Sequence, residues 1–168
     1  MGKWKRAFLK SLDPEFDDPS SFESGPPATE QQLAVLERSV SAKIPPDLRE
    51  LLQEFNGVTR DGPTGREDYF FSTETMLQAA EYYRNWDCDT TLAMQLFANV
   101  LLVCQENGMS EMWGVVVRPF ARYRYGEVVS FDHDRLMFME TETDLFVGNY
   151  NNLLELVQAT TKDAGEED

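Results

Sequence analysis

The sequence predicts a single-domain α+β fold, with helices packed on one face of an antiparallel sheet of about four to six strands. Three observations carry that expectation. Residues 29–57 hold two consecutive amphipathic helical stripes, and short apolar runs between Val100 and Met139 are separated by turn chemistry. A chain of 168 residues with 42% hydrophobic and 27% charged residues suits one core and argues against wholesale disorder.

Residues 1–12 form a short basic amphipathic helix, with Trp4, Phe8 and Leu12 spaced by four and Pro14 limiting it. Docking on the protein's own acidic body is favoured over membrane anchoring. Stable anchoring takes two signals, and Arg6 stands where a myristoylation pattern wants Ser or Thr. Residues 13–28 carry Asp, Ser, Gly25, Pro26 and Pro27 with few large apolar side chains, a linker composition. The expected organisation is a basic helix and acidic, Pro-rich linker over 1–27, a globular domain over 28–161 and a charged tail over 162–168.

Thr29 with Gln32 fits a capping box, and Leu33, Leu36 and Val40 recur at helical spacing. Ile44-Pro45-Pro46 breaks this helix. The next presents Leu48, Leu51, Leu52 and Phe55, carries Asp47 in its first turn and stops at Asn56-Gly57. The two stripes are expected to pack together as a helical pair. Residues 60–66 read as a loop, Tyr69 to Phe71 as a short strand, and Thr73 or Thr75 as the cap of a helix running to about Trp86. Val100 to Gln105 is apolar on both faces, as in a central strand, and Asn107-Gly108 signals a hairpin. Return strands follow at Trp113 to Val117, Glu127 to Phe131 and Leu136 to Met139, making a meander. Asn149 is the expected cap of a closing helix through Leu153, Leu154, Leu156 and Val157.

The run of helix, Ile44-Pro45-Pro46-Asp47, a second helix and Leu51-Leu52-Gln53-Glu54-Phe55-Asn56-Gly57 resembles the opening of the SUKH superfamily. That superfamily groups bacterial toxin-immunity proteins with fungal cell-wall regulators. Val100 to Gly108, Trp113 to Val117 and Gly126 to Asp134 follow in the same order, so the resemblance spans roughly residues 29–160. The first 28 residues lie outside the pattern, and Arg118 to Tyr125 is unusually rich in Arg and Tyr. The resemblance implies the same α+β architecture and a non-enzymatic protein-binding role. An immunity protein occluding a nuclease-type toxin is the leading form, and a regulatory adaptor of the cell-wall-regulator kind is the alternative.

Thirty acidic against fifteen basic residues give a net charge of −15, which disfavours direct nucleic-acid binding and favours basic partners. The first twelve residues hold Lys3, Lys5, Arg6 and Lys10 and no acid, so −15 − 4 = −19 falls on the rest. Cys88 and Cys104 form no CxxC and no signal-peptide pattern is present, so a cytoplasmic address with free thiols is expected. No apolar run reaches the roughly 18 residues of a membrane span.

His133 is the sole histidine. Strand alternation sends Asp132 and Asp134 to one side and His133 to the other, so the three do not converge on one metal ion. Only an enzyme using this trio with a bound metal would depart from a binding role. Glu140, Glu142 and Asp144 recur with period two, as along a solvated strand edge. Neither cysteine has a nucleophile context, and neither a phosphate loop nor GxGxxG occurs. No catalytic, cofactor or metal residues are assigned. Met109, Met112, Met137 and Met139 fit core gap-filling better than an adaptable face. Arg118, Arg122 and Arg124 with Phe120, Tyr123 and Tyr125 fit an interaction loop or internal ion pairs. Partner-binding residues are expected at Trp86, Asp87 and Asp89, an aromatic among acids, and at Asp132 and Asp134. The partner's identity and the oligomeric state are not encoded in any recognisable pattern.

Overall fold

The computed structural model describes residues 2–12, 18–62, 65–85, 91–105, 111–132, 134, 149–150 and 152–159. Among the described residues six α-helices run in chain order: α1 (Lys3–Ser11), α2 (Glu30–Val40), α3 (Pro46–Glu54), α4 (Thr73–Arg84), α5 (Thr91–Asn99) and α6 (Leu153–Ala159). Strands β1 (Phe22–Ser24), β2 (Val58–Gly62) and β3 (Gly65–Phe70) make one antiparallel sheet in that order. A second antiparallel sheet orders β4 (Val100–Gln105), β5 (Glu111–Val116), β6 (Val128–Asp132) and β7 (Asn149–Tyr150). The α+β class holds, with the strands divided between sheets of three and four.

The division has a local cause. Residues 60–66 look like a loop because turn-forming residues crowd them, yet the strand ladder reaches into them, with Arg60 paired to Glu67, Asp61 to Arg66 and Gly62 to Gly65. Likewise the stretch expected to be linker contains β1, which pairs Phe22 with Arg60. Val103 sits at a bulge in β4 where the register shifts, and its carbonyl accepts a 2.7 Å bond from the Phe71 N–H. The bulge therefore joins the two sheets. All residues of β4 but Gln105, and all of β6 but Asp132, are buried. Packing material thus lies on both faces of these strands. Gly114 on β5 is needed for close approach, since a Cβ there would stand 2.2 Å from Val100 Cγ1.

The α2 capping box forms as its residues imply: Gln32 N–H donates to Thr29 Oγ1 at 3.2 Å, and Thr29 N–H donates to Gln32 Oε1 at 2.8 Å. The helix ends earlier than the prolines require, at Val40, because Ser41 takes a left-handed φ of 51° and closes the last turn. The two predicted stripes share one core, with Leu33, Leu36, Leu48, Leu51, Leu52 and Phe55 all buried in it. Their helices are less intimate than expected. The extended Lys43–Pro45 link separates them, so α2 packs chiefly on α4, and α3 on α1 and α6.

Three helix boundaries differ from expectation for one reason, the position of the side chain that can reach back to the backbone. Ser72 caps α4 by accepting from Thr75 N–H at 3.1 Å, displacing Thr73 and Thr75 from that role. Asn152 caps α6 through Glu155 N–H at 3.1 Å, while Asn149 lies in β7. Asn56 does not stop α3, which ends at Glu54. It clamps the start of α4 instead, accepting from Thr73 N–H at 2.7 Å and donating to Thr73 Oγ1 at 3.1 Å. Gly57 follows with φ of 91°, and a Cβ there would press within 3.0 Å of the Ser72 backbone. Ala93, Leu96 and Phe97 recur at helical spacing along α5, a helix not among the expected elements. Asn107-Gly108, Leu136 to Met139, Glu140, Glu142, Asp144, Cys88, Met109, Met137 and Met139 lie outside the described residues.

Helix α1 is part of the core. Trp4, Phe8 and Leu12 are buried, and Phe8 meets Phe22, Tyr69 and Phe70 edge-on at 5.3, 5.6 and 6.4 Å between ring centroids. Its first turn is held by an acid from another helix: Glu54 accepts from Trp4 N–H at 2.9 Å and Lys5 N–H at 2.7 Å. A carboxylate at a helix N-terminus satisfies orphan donors and meets the positive end of the dipole. Lys3 adds a 3.2 Å ion pair to Glu50 and lies 4.7 Å over the Trp4 ring.

Candidate functional site

Charges in this molecule divide into two populations. Around α2 and α3 they are matched. Arg49 reaches Glu30 at 2.9 Å and Glu37 at 3.1 Å, and Lys43 reaches Glu37 at 2.6 Å. The Glu37 side chain is only 10% exposed. Burial works against its ionisation, but the bonds and charges of Lys43 and Arg49 outweigh it and hold the carboxyl below its ordinary value. The same bonds from Glu37 and Glu30 raise Arg49 further above its ordinary range.

At the C-terminal ends of α2 and α4 the arrangement changes. An open groove of about 570 Å3 lies where these ends meet α5. Val40, Ala93, Phe97 and Val100 give it an apolar lining, and Met94, 66% exposed, stands in it. Tyr83 also lines it, stacked on Phe97 with centroids 4.3 Å apart. Arg84 and Arg118 complete the lining. Arg84 Nη2 donates to the Ser39 carbonyl at 3.0 Å; Arg118 Nη2 donates to the carbonyls of Val40 at 2.9 Å and Ala98 at 2.7 Å. Those carbonyls belong to the last turns of α2 and α5, where helix oxygens lack intrahelical partners. Neither arginine forms an ion pair with a carboxylate among the described residues.

The segment Arg118 to Tyr125 closes on itself beside this groove. Phe120 and Tyr123 are buried and exchange backbone bonds of 3.3 and 2.8 Å around Ala121, whose φ is 50°. Arg122 lies 5.2 Å from the Tyr123 ring. Tyr125 is exposed, and partial burial followed by the charge of Glu37 raises its hydroxyl above the ordinary value.

Of the residues expected to bind a partner, Asp132 and Asp134 come together at the end of β6. The Asp134 N–H donates to Asp132 Oδ1 at 2.9 Å, and the ladder sets Glu111 of β5 directly opposite Asp132. Acids facing each other across an antiparallel pair repel. Glu111 takes no ion pair among the described residues. Tyr83 links this acidic edge to the groove. Its hydroxyl donates to Met112 Sδ at 3.0 Å, and burial, then Tyr82 and Asp134, push its pKa up to about 12. Trp86, Asp87, Asp89 and His133 lie outside the described residues. Sequence reasoning did not pick out Arg84, Met94 or Glu111, because their positions on helix and strand carry no motif and only the fold brings them to an edge.

Among the described residues no group of three His, Cys, Asp or Glu side chains is placed to hold a metal ion, and no helix is long and apolar enough to cross a membrane. Cys104 is a buried thiol. A comparison with curated proteins finds no match. The SMI1/KNR4 family profile, SUKH-1, matches residues 27–147, more than half of the chain and the whole stretch from α2 through β6. The protein belongs to the SMI1/KNR4 (SUKH-1) family.

Proposed function

We propose that this chain is a non-enzymatic protein-binding domain of the immunity type, neutralising a cognate, nuclease-type toxin by occluding its basic surface inside the cytoplasm. Family membership supports a role as immunity protein or cell-wall-type regulator. The observation that carries the immunity reading is the acidic edge of β5 and β6, where Glu111 faces Asp132 and Asp134 is bonded to it. Like charges kept opposite one another weaken a sheet, and a basic surface laid over them would relieve the repulsion. The −19 carried outside the first twelve residues would extend that attraction over distance. Trp86, Asp87 and Asp89 belong to the same proposal as a second contact.

The test is association of the purified chain with the toxin encoded beside its gene, followed across a salt series. Raising salt is expected to slow association far more than it speeds dissociation, because screening acts over about 8 Å at physiological ionic strength. Glu111→Gln with Asp132→Asn should lower the on-rate further. An acidic partner, or an on-rate indifferent to salt, rejects the reading.

The second reading is a regulatory adaptor of the cell-wall-regulator type. It is favoured by a different surface, the groove with Met94, together with Tyr82, which is 63% exposed beside Tyr83.

A further inference from the structure

The groove differs in sign from the molecule around it. In a chain of net charge −15, Arg84 and Arg118 both line it, and each is held by main-chain carbonyls instead of carboxylates. Capping of helix ends explains why the side chains are positioned. It leaves their positive charges without a carboxylate partner among the described residues, since a carbonyl carries only a partial charge. A guanidinium has five N–H groups in a planar fork, and the bonds described occupy Nη2 in each residue, so further donors remain for a ligand. Between the arginines lies apolar surface with stacked Tyr83 and Phe97 and the exposed Met94. A volume of about 570 Å3 falls within the roughly 300–1,000 Å3 usual for binding sites.

We infer that this groove is a docking site for a partner's peptide segment that carries a large apolar side chain next to acidic residues. The apolar side chain enters between Met94 and Phe97, and its neighbouring carboxylates take the free N–H groups of Arg84 and Arg118. Charge complementarity selects this occupant. A basic segment would set its cations against both arginines, whereas carboxylate and guanidinium form short, directional, charge-assisted bonds. Methionine suits such a surface, because its flexible thioether adapts to more than one aromatic or aliphatic side chain. The inference stands apart from the acidic edge and its basic toxin. It gives the chain a second surface of opposite sign, separated from the first by Tyr83.

The experiment uses the full-length chain with isotope-labelled methionine methyl groups and two peptides, Ac-Ser-Leu-Phe-Glu-Asp-NH2 and Ac-Ser-Leu-Phe-Lys-Lys-NH2. The acidic peptide is expected to shift the Met94 methyl resonance in a saturable way, and the basic one is not. Arg84→Gln should weaken that binding at least about fivefold, roughly 1 kcal/mol of affinity. Arg118 is not the first variant, since it ties together the ends of α2 and α5 and its loss could unfold the site. Met94→Glu and Met94→Lys avoid that problem because Met94 is largely exposed, and since they remove the reporter methyl their peptide binding is read by titration calorimetry against the parent. The lysine should tighten binding of the acidic peptide and the glutamate should abolish it, with the melting temperature unchanged in both. No Met94 response at millimolar acidic peptide, an equal or stronger response to the basic peptide, or indifference to Arg84→Gln and Met94→Glu would each overturn the inference. None of these results touches the salt dependence of toxin association, so the two readings fail separately.

Discussion

The charge cluster around α1–α3 and the groove at the C-terminal ends of α2 and α4 handle charge in opposite ways. Near α3, cations meet carboxylates: Arg49 with Glu30 and Glu37, Lys43 with Glu37, Lys3 with Glu50, and the first turn of α1 with Glu54. At the groove, Arg84 and Arg118 bond main-chain carbonyls and, among the described residues, no carboxylate, and on the neighbouring sheet edge Glu111 faces another acid. Matched charge tightens a fold, whereas unmatched charge is a standing cost that a bound partner can remove. The comparison therefore sets residues whose charges are matched within the fold apart from those proposed to meet a partner.

The largest effects should come from the matched end. Trp4→Ala is expected to cost about 3–5 kcal/mol, the range for truncating a buried aromatic, read by denaturant unfolding. A loss near zero would return α1 to the status of an appendage. Leu51→Ala should cost about 2–5 kcal/mol, and a variant melting with the parent would contradict the shared core of α2 and α3. These values also bear on how the arm's charge can be tested. Deleting residues 1–12 would remove Trp4 and Phe8 from the core, so Lys5→Gln with Arg6→Gln, at exposed positions, is the cleaner way to neutralise it.

Local sequence chemistry was legible wherever the decisive contact lay within a few residues. The Thr29–Gln32 capping box, the stripes of α2 and α3, the two-sided burial of β4 and the β4-β5-β6 meander all follow from spacing alone. Legibility failed where the partner was distant in sequence. Residues 60–66 contain turn formers that become strand once β1 arrives, and Asn56 bonds Thr73 in place of ending its own helix. Candidate-site residues were harder still. Asp132 and Asp134 stood out as a local motif, but the significance of Arg118, Arg84 and Glu111 depends on three-dimensional neighbours separated by tens of residues. Helices α1 and α6 pack on each other although both lie outside the family match, so the family pattern gave no hint of that closure.

Tyr83 gives a pH test at the junction of the groove and the acidic edge. Its folded pKa of about 12 exceeds the ordinary 10.0, so the native state keeps a proton the unfolded chain releases. Stability from this group is full below pH 10.0 and declines as pH rises toward about 12. Tyr83→Phe should flatten that part of an alkaline unfolding profile. An unchanged profile would dissociate Tyr83 from its surroundings. A smaller effect is expected from Glu54→Ala, which removes the carboxylate at the start of α1 and should cost about 0.5–2 kcal/mol by equilibrium unfolding, as for loss of an N-cap.

The contrast between matched and unmatched charge is tested most directly by melting two isosteric neutralisations side by side in one buffer at neutral pH. Glu37→Gln removes a carboxylate that Arg49 and Lys43 both use. It should cost about 1–2 kcal/mol, less than a fully buried pair because Lys43 stays in solvent, and lower the melting temperature by about 2–8 °C. Glu111→Gln removes a charge opposed by Asp132 and should leave the melting temperature unchanged or raise it by up to about 2 °C. A drop for Glu111→Gln as large as that for Glu37→Gln, or no drop for Glu37→Gln, would contradict the account.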